Sequence, residues 1–220
     1  MGIIEQLKQK LTAEYLADED KIEERFKEIA EILLGEVAIK KGDKLLWITD
    51  VEFYWYTDSH RDIITYPRNC EPGKWFFHSS GVDISFESKV KTDGDLWNPA
   101  AILTPEAKFG GILIRGICPK NDEGKKSKDY NFDGPMKSVN YLFDIFDAFS
   151  EPSGVPLIVE DQHEIVIERS PRKNLLVKKT AEEKVEAIKR YNYSDKSDFP
   201  DNLIESFKEF KEKKYRFFTK

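Results

Sequence analysis

The run WITDVEFYWYTDSH, from Trp47 to His60, restricts the fold of this chain more than any other. Its β-branched and aromatic residues favour an extended strand. Strand alternation puts Val51, Phe53 and Trp55 on one face and Glu52, Tyr54 and Tyr56 on the other. A carboxylate and two phenols then share a face. If water covered that face, Glu52 would be an ordinary surface charge and the tyrosines cross-strand packing.

The flanking segments supply further elements. A helical stripe of Ile22, Phe26, Ile29 and Leu33 runs from about Asp20 to Leu34, and Gly35 suits its C-terminal stop. Strands on either side of Lys41-Gly42-Asp43 form a hairpin feeding the central strand. Lys74 to His78 reads as another strand, with Trp75 and Phe77 on one face and Phe76 and His78 on the other. Gly110 to Pro119 is a buried strand holding one charge, Arg115, which needs a carboxylate, phosphate or carbonyl partner. Residues 87 to 109 read as a polar loop. Gly134-Pro135 opens a helix with a Val139, Phe143 and Phe146 stripe. Strands at 155–160 and 164–168 and helices at about 180–191 and 200–213 follow, the last started by Pro200 with Leu203, Phe207 and Phe210 on one side. Residues 3 to 16 form a short helix, and 1–18 are expected to be an N-terminal helical appendage to a domain spanning 19–220.

In order, Leu33-Leu34-Gly35, Glu52-Phe53-Tyr54, Asp58-Ser59-His60, Pro67-Arg68-Asn69, Gly73 through His78, Arg115 with Pro119, Gly134-Pro135-Met136-Lys137, Ser170-Pro171-Arg172 and Tyr215 through Phe218 form a collinear series. The series resembles the 3-methyladenine (alkyladenine) DNA glycosylase family over about residues 26 to 218. The resemblance implies an α/β (α+β) fold: a single domain with a mainly antiparallel curved sheet flanked by helices. It also implies base-excision repair of alkylated or deaminated purines in DNA without a cofactor. Glu52 would be the catalytic carboxylate. Tyr54, His60, His78 and Arg115 would hold the substrate, His78 standing where the family has a base-stacking tyrosine. Arg68, Arg172 and Lys173 would meet the DNA backbone. Two departures stand out: the loop before His60 is short, and Ser79-Ser80-Gly81 occupies the place of the side chain that fills the gap left by a flipped base.

That chemistry suits these residue types. Breaking an N-glycosidic bond through an oxocarbenium-like transition state calls for a carboxylate that deprotonates water and faces the developing positive charge. A base removed from a duplex must be flipped out and held between aromatic faces, and a cationic alkylated purine gains attraction from electron-rich rings.

The net charge of −6 argues mildly against a general nucleic-acid binder. Eight acids against three bases between Glu14 and Glu31 account for five of those charges, and basic clusters remain elsewhere: Arg169, Arg172, Lys173, Lys178 and Lys179, and Lys120, Lys125, Lys126 and Lys128. Cys70 and Cys118 lack zinc or disulfide spacing. His60, His78 and Asp83 could surround a metal but have no ligand motif, so no metal is expected. No apolar run approaches the roughly 20 residues of a membrane span, and the charged start MGIIEQLKQKL lacks a signal-peptide core, so a cytoplasmic protein with no membrane partner is expected. Three readings follow: a purine glycosylase acting on damaged, single-stranded or weakly paired DNA; a non-catalytic nucleic-acid or nucleotide-binding protein on the same fold; and an unrelated hydrolase using Glu52 and a histidine.

Overall fold

The computed structural model describes residues 1–90, 106–120, 132–144, 154–173, 175, 180–192 and 202–220. Within them lie helices α1 (Ile3–Lys10), α2 (Ile22–Gly35), α3 (Pro135–Leu142), α4 (Ala181–Asn192) and α5 (Leu203–Glu212). The strands are β1 (Val37–Lys41), β2 (Lys44–Tyr56), β3 (Trp75–His78), β4 (Gly81–Ser85), β5 (Phe109–Pro119), β6 (Phe132–Asp133), β7 (Leu157–Glu160), β8 (Ile167–Ser170) and β9 (Arg216–Thr219). The expected roles of Phe146, Pro200, Lys125, Lys126, Lys128, Lys178 and Lys179, and of most of the 87–109 loop, fall outside the described residues.

Two long strands form the spine of one curved sheet. β2 and β5 pair antiparallel from Leu46↔Pro119 to Tyr56↔Phe109. The outer edge of β2 takes β1 and then β9, while that of β5 takes β4 and β6. β3 extends the β4 side, β7 the β1 side, and β8 pairs with β9. Every pairing among the described residues is antiparallel, so the mixed α/β single domain with a mainly antiparallel curved sheet is what the chain adopts.

The period of two decides which residues meet where. Val51, Phe53 and Trp55 enter the main core, where Phe53 stacks on Phe26 of α2 at 4.6 Å. On the opposite face Tyr56 stacks on Phe109 at 4.7 Å in a second cluster built with α4 and α5 through Val185, Ile188, Leu203 and Phe207. Along β3, Trp75 and Phe77 pack on Phe143 while Phe76 and His78 face the other way.

Three expectations change. Gly35 is the last residue of α2, but its lack of a side chain serves packing: a Cβ there would lie 2.9 Å from Ile165 Cδ1. Helix α3 is only two turns long, so its buried positions are Ser138 and Leu142, and Phe143 falls beyond its end against Trp75. Residues 1–18 are no appendage. Leu7, Leu11 and Leu16 are buried in the main core, and the Leu11 carbonyl accepts the Glu87 N–H. The charged composition of this stretch hides three leucines that the sheet needs as cover. Among the described residues no helix is long and apolar enough to cross a membrane.

Leu11→Ala checks this integration. Emptying a core leucine position costs about 2–5 kcal/mol, against a few tenths for a loosely attached segment, and urea unfolding of the two proteins separates these outcomes.

Candidate functional site

One row of residues crosses the sheet on a single face. Phe76 pairs with Asp83, Asp83 with Leu113, Leu113 with Glu52, and Glu52 with Arg216. Above this row lies a cleft of about 560 Å³, within the roughly 300–1,000 Å³ typical of small-molecule sites. Glu52, Tyr54, Arg68, His78, Arg115 and Lys173 all line it, joined by Tyr66, Phe76, Asp83 and Lys184.

Glu52 has no exposed surface, and three donors hold its carboxylate. Oε2 accepts the Tyr54 hydroxyl at 2.8 Å and Arg115 Nη1 at 3.2 Å; Oε1 accepts the Lys173 backbone N–H at 2.7 Å. Burial, and then the neighbouring Glu52 carboxylate, push the Tyr54 phenol well above its ordinary range, so it remains a donor. Arg115 also approaches Asp50 at 3.8 Å, and Arg216 grips Asp50 through Nε and Nη2 at 2.9 and 2.8 Å. Alternation makes this possible: Asp50 stands two residues from Glu52 on β2, and Arg115 two residues from Leu113, the cross-strand partner of Glu52, so all of them belong to one face.

The opposite wall is a second charged cluster. Asp83 accepts Arg68 Nη2 at 2.7 Å and pairs with His78 Nε2 at 2.9 Å. Burial works to raise the Asp83 pKa, but Arg68 and His78 outweigh it and hold the carboxyl below its ordinary range. The Arg68 guanidinium lies 3.8 Å over the Phe76 ring, in space that opens because residue 111 is glycine: a Cβ there would sit 2.6 Å from Arg68 Nη1. His78 stacks on Tyr66 at 4.5 Å, and the Tyr66 hydroxyl bonds both serine hydroxyls of the Ser79-Ser80 turn.

Three expected roles are corrected. His60 is buried away from the cleft, with Nδ1 2.8 Å from the Trp55 carbonyl and Nε2 3.0 Å from the Tyr215 hydroxyl, its ring edge-on to Phe210. The tight reversal after Tyr56, closed by the Tyr56↔Arg61 bridge, turns the ring inward. Arg172 is no backbone contact. Its side chain is fully buried, bonded to both Asp62 oxygens at 2.6 and 3.0 Å and to the Phe53 and Phe210 carbonyls. Arg68 is likewise spent on Asp83, with 1% of its side chain exposed. Of the three expected backbone contacts only Lys173 keeps an exposed side chain.

Tyr66, Phe76, Asp83 and Lys184 carry no role in the sequence reading beyond Asp83 as a metal ligand. Asp83 was open to the reasoning applied to Arg115, being an acid inside the apolar run GVDIS. No protein-family model, curated protein or solved structure matches this chain.

Burial holds the His60 pKa below its ordinary value of 6.5. The unfolded chain therefore takes up that proton first, so the contribution of His60 is complete above about pH 6.5 and is lost as pH falls toward the folded-state value. Unfolding free energy should drop between pH 7.5 and 5.5, and His60→Gln should flatten that drop. An unchanged profile in the variant would remove His60 as its source.

Proposed function

We propose that the protein is a monofunctional purine glycosylase, hydrolysing the N-glycosidic bond of alkylated or deaminated purines in DNA. The observation that carries this reading is the placement of Glu52: a wholly buried, rigidly held carboxylate on the floor of a cleft walled by Tyr54, Tyr66, Phe76 and His78. A flipped purine between such walls would present its C1′ to the carboxylate. Water attacks C1′, its proton passes to Glu52, the C1′–N bond breaks, and the bonding electron pair leaves with the base. A carboxylate offers roughly four lone-pair positions; three donors hold Glu52, which leaves one for water. The developing positive charge on the sugar is met by a fixed negative group that needs no reorganisation.

A second reading, binding without catalysis on the same cleft, draws on the same three donors, which give Glu52 a complete structural reason to be there.

Incubation with DNA carrying 3-methyladenine or hypoxanthine, with abasic sites measured, distinguishes the two. Glu52→Gln should lower the rate by about 10²–10⁴-fold, the usual size of a general-base contribution, with thermal unfolding followed in parallel because the new amide N–H₂ faces existing donors. Equal activity in both proteins removes Glu52 from the mechanism. Absence of activity in both favours the binding reading.

Ser79 and Ser80 form the two-residue turn between paired His78 and Gly81, and their hydroxyls are held by Tyr66. Neither can fill the gap left by a flipped base, whose unstacking costs a few kcal/mol. Lesions in single strands should be engaged at least as well as those in duplexes, and Ser80→Tyr should raise duplex affinity selectively. Strong duplex preference in the unmodified protein, untouched by Ser80→Tyr, would sink this.

A further inference from the structure

We propose that the cleft is a mononucleotide site: it takes a free purine nucleoside monophosphate, with the phosphate held by Lys173 and Lys184. This rests on the cleft being the ligand site, and it holds whether or not Glu52 performs hydrolysis. Four cations line the cleft, Arg68, Arg115, Lys173 and Lys184, against two carboxylates, Glu52 and Asp83. The surplus is two positive charges. Each arginine is matched to one of the carboxylates, Arg68 to Asp83 at 2.7 Å and Arg115 to Glu52 at 3.2 Å. The surplus therefore resides in the two lysines, neither of which has an ion-pair partner among the described residues. Two ammonium groups at one cleft match one phosphate dianion.

The scale of the charge favours a single phosphate over a strand. Proteins that hold nucleic acid through its backbone neutralise several phosphates, about 6–10 in strongly salt-dependent cases. Here the chain carries −6, and two of the three residues expected on a backbone, Arg68 and Arg172, are buried in ion pairs. The cleft volume of about 560 Å³ suits one nucleotide. A base entering it would find the stacked Tyr66–His78 pair and the buried Arg68 Nη1, a donor with no hydrogen-bond partner in the protein. A buried donor of that kind is rarely left unpaired, and a purine ring nitrogen or exocyclic oxygen is an acceptor for it.

Calorimetric titration of the full chain with AMP, IMP, adenosine, a single-stranded dodecamer and the matching duplex tests this. At least one of the two monophosphates should bind, and AMP at least tenfold more tightly than adenosine. Lys173→Gln and Lys184→Gln should each reduce that ratio and together bring it near one. Oligonucleotide binding should show a salt slope no steeper than one or two phosphates allow, about −0.7 to −1.4 for single strands. Equal affinity for AMP and adenosine, or no binding of either monophosphate, overturns the proposal. So does a dodecamer that binds far more tightly than AMP with a steep salt slope, which would assign the lysines to a strand. Failure of base excision with AMP binding intact would remove the glycosylase reading alone; excision without AMP binding would remove this one alone.

Discussion

Arg115 lies between two carboxylates inside the sheet, and much of the architecture answers to that one buried cation. Glu52 takes its Nη1, Asp50 lies on its other side, and Arg216 closes the series on Asp50. Two positive and two negative groups are thus withdrawn from water together. Any one of them alone would be uncompensated, at a cost of about 3–5 kcal/mol. The antiparallel pairing of β2 with β5 brings Arg115 into reach of both carboxylates, and β9 must lie beside β2 for Arg216 to complete the set. The C-terminal strand therefore supports the floor of the cleft while lining none of it.

Two further arginines act as struts around the same floor. Arg172 joins Asp62 to the Phe53 and Phe210 carbonyls, and the chain it anchors delivers the next residue's N–H to Glu52. Arg68 fastens the loop before β3 to Asp83 on β4 and so sets the far wall. Arginine suits this work because its planar fork makes several fixed hydrogen bonds at once, whereas a lysine ammonium is a hydrated point charge on a flexible stem. The division is visible in the molecule: arginines hold the cleft together, and lysines are left facing its contents.

Alternation made much of this legible in advance. Once β2 and β3 are strands, period two allows no other partition than Glu52 with Tyr54 and Phe76 with His78, and both pairs line the cleft. The need of Arg115 for a carboxylate could be read from its apolar neighbours, but Glu52 is 63 residues away and only the pairing of β2 with β5 selects it. The roles expected of His60, Arg68 and Arg172 rest on the resemblance, whereas their burial is decided by Tyr215, Asp83 and Asp62, distant partners that local pattern does not reveal. The leucines of the first sixteen residues are hidden in the same way, diluted by charged neighbours yet required as cover for the sheet.

The fixed state of Glu52 bears directly on what the cleft can do. With Tyr54 kept protonated and Arg115 and the Lys173 N–H in place, the carboxylate has little freedom to rotate, so its remaining lone pair points in one direction. A mobile carboxylate would lose transition-state stabilisation to reorientation; a fixed one provides it only to a charge developing beside its one unoccupied lone pair. Productive binding is therefore a matter of where the sugar is held, and on the present reading that position depends on the Tyr66–His78 wall at one end and the two lysines at the other. In the proposed reaction, a ligand lacking either the ring or the phosphate would enter the same cleft without bringing its C1′ to Glu52.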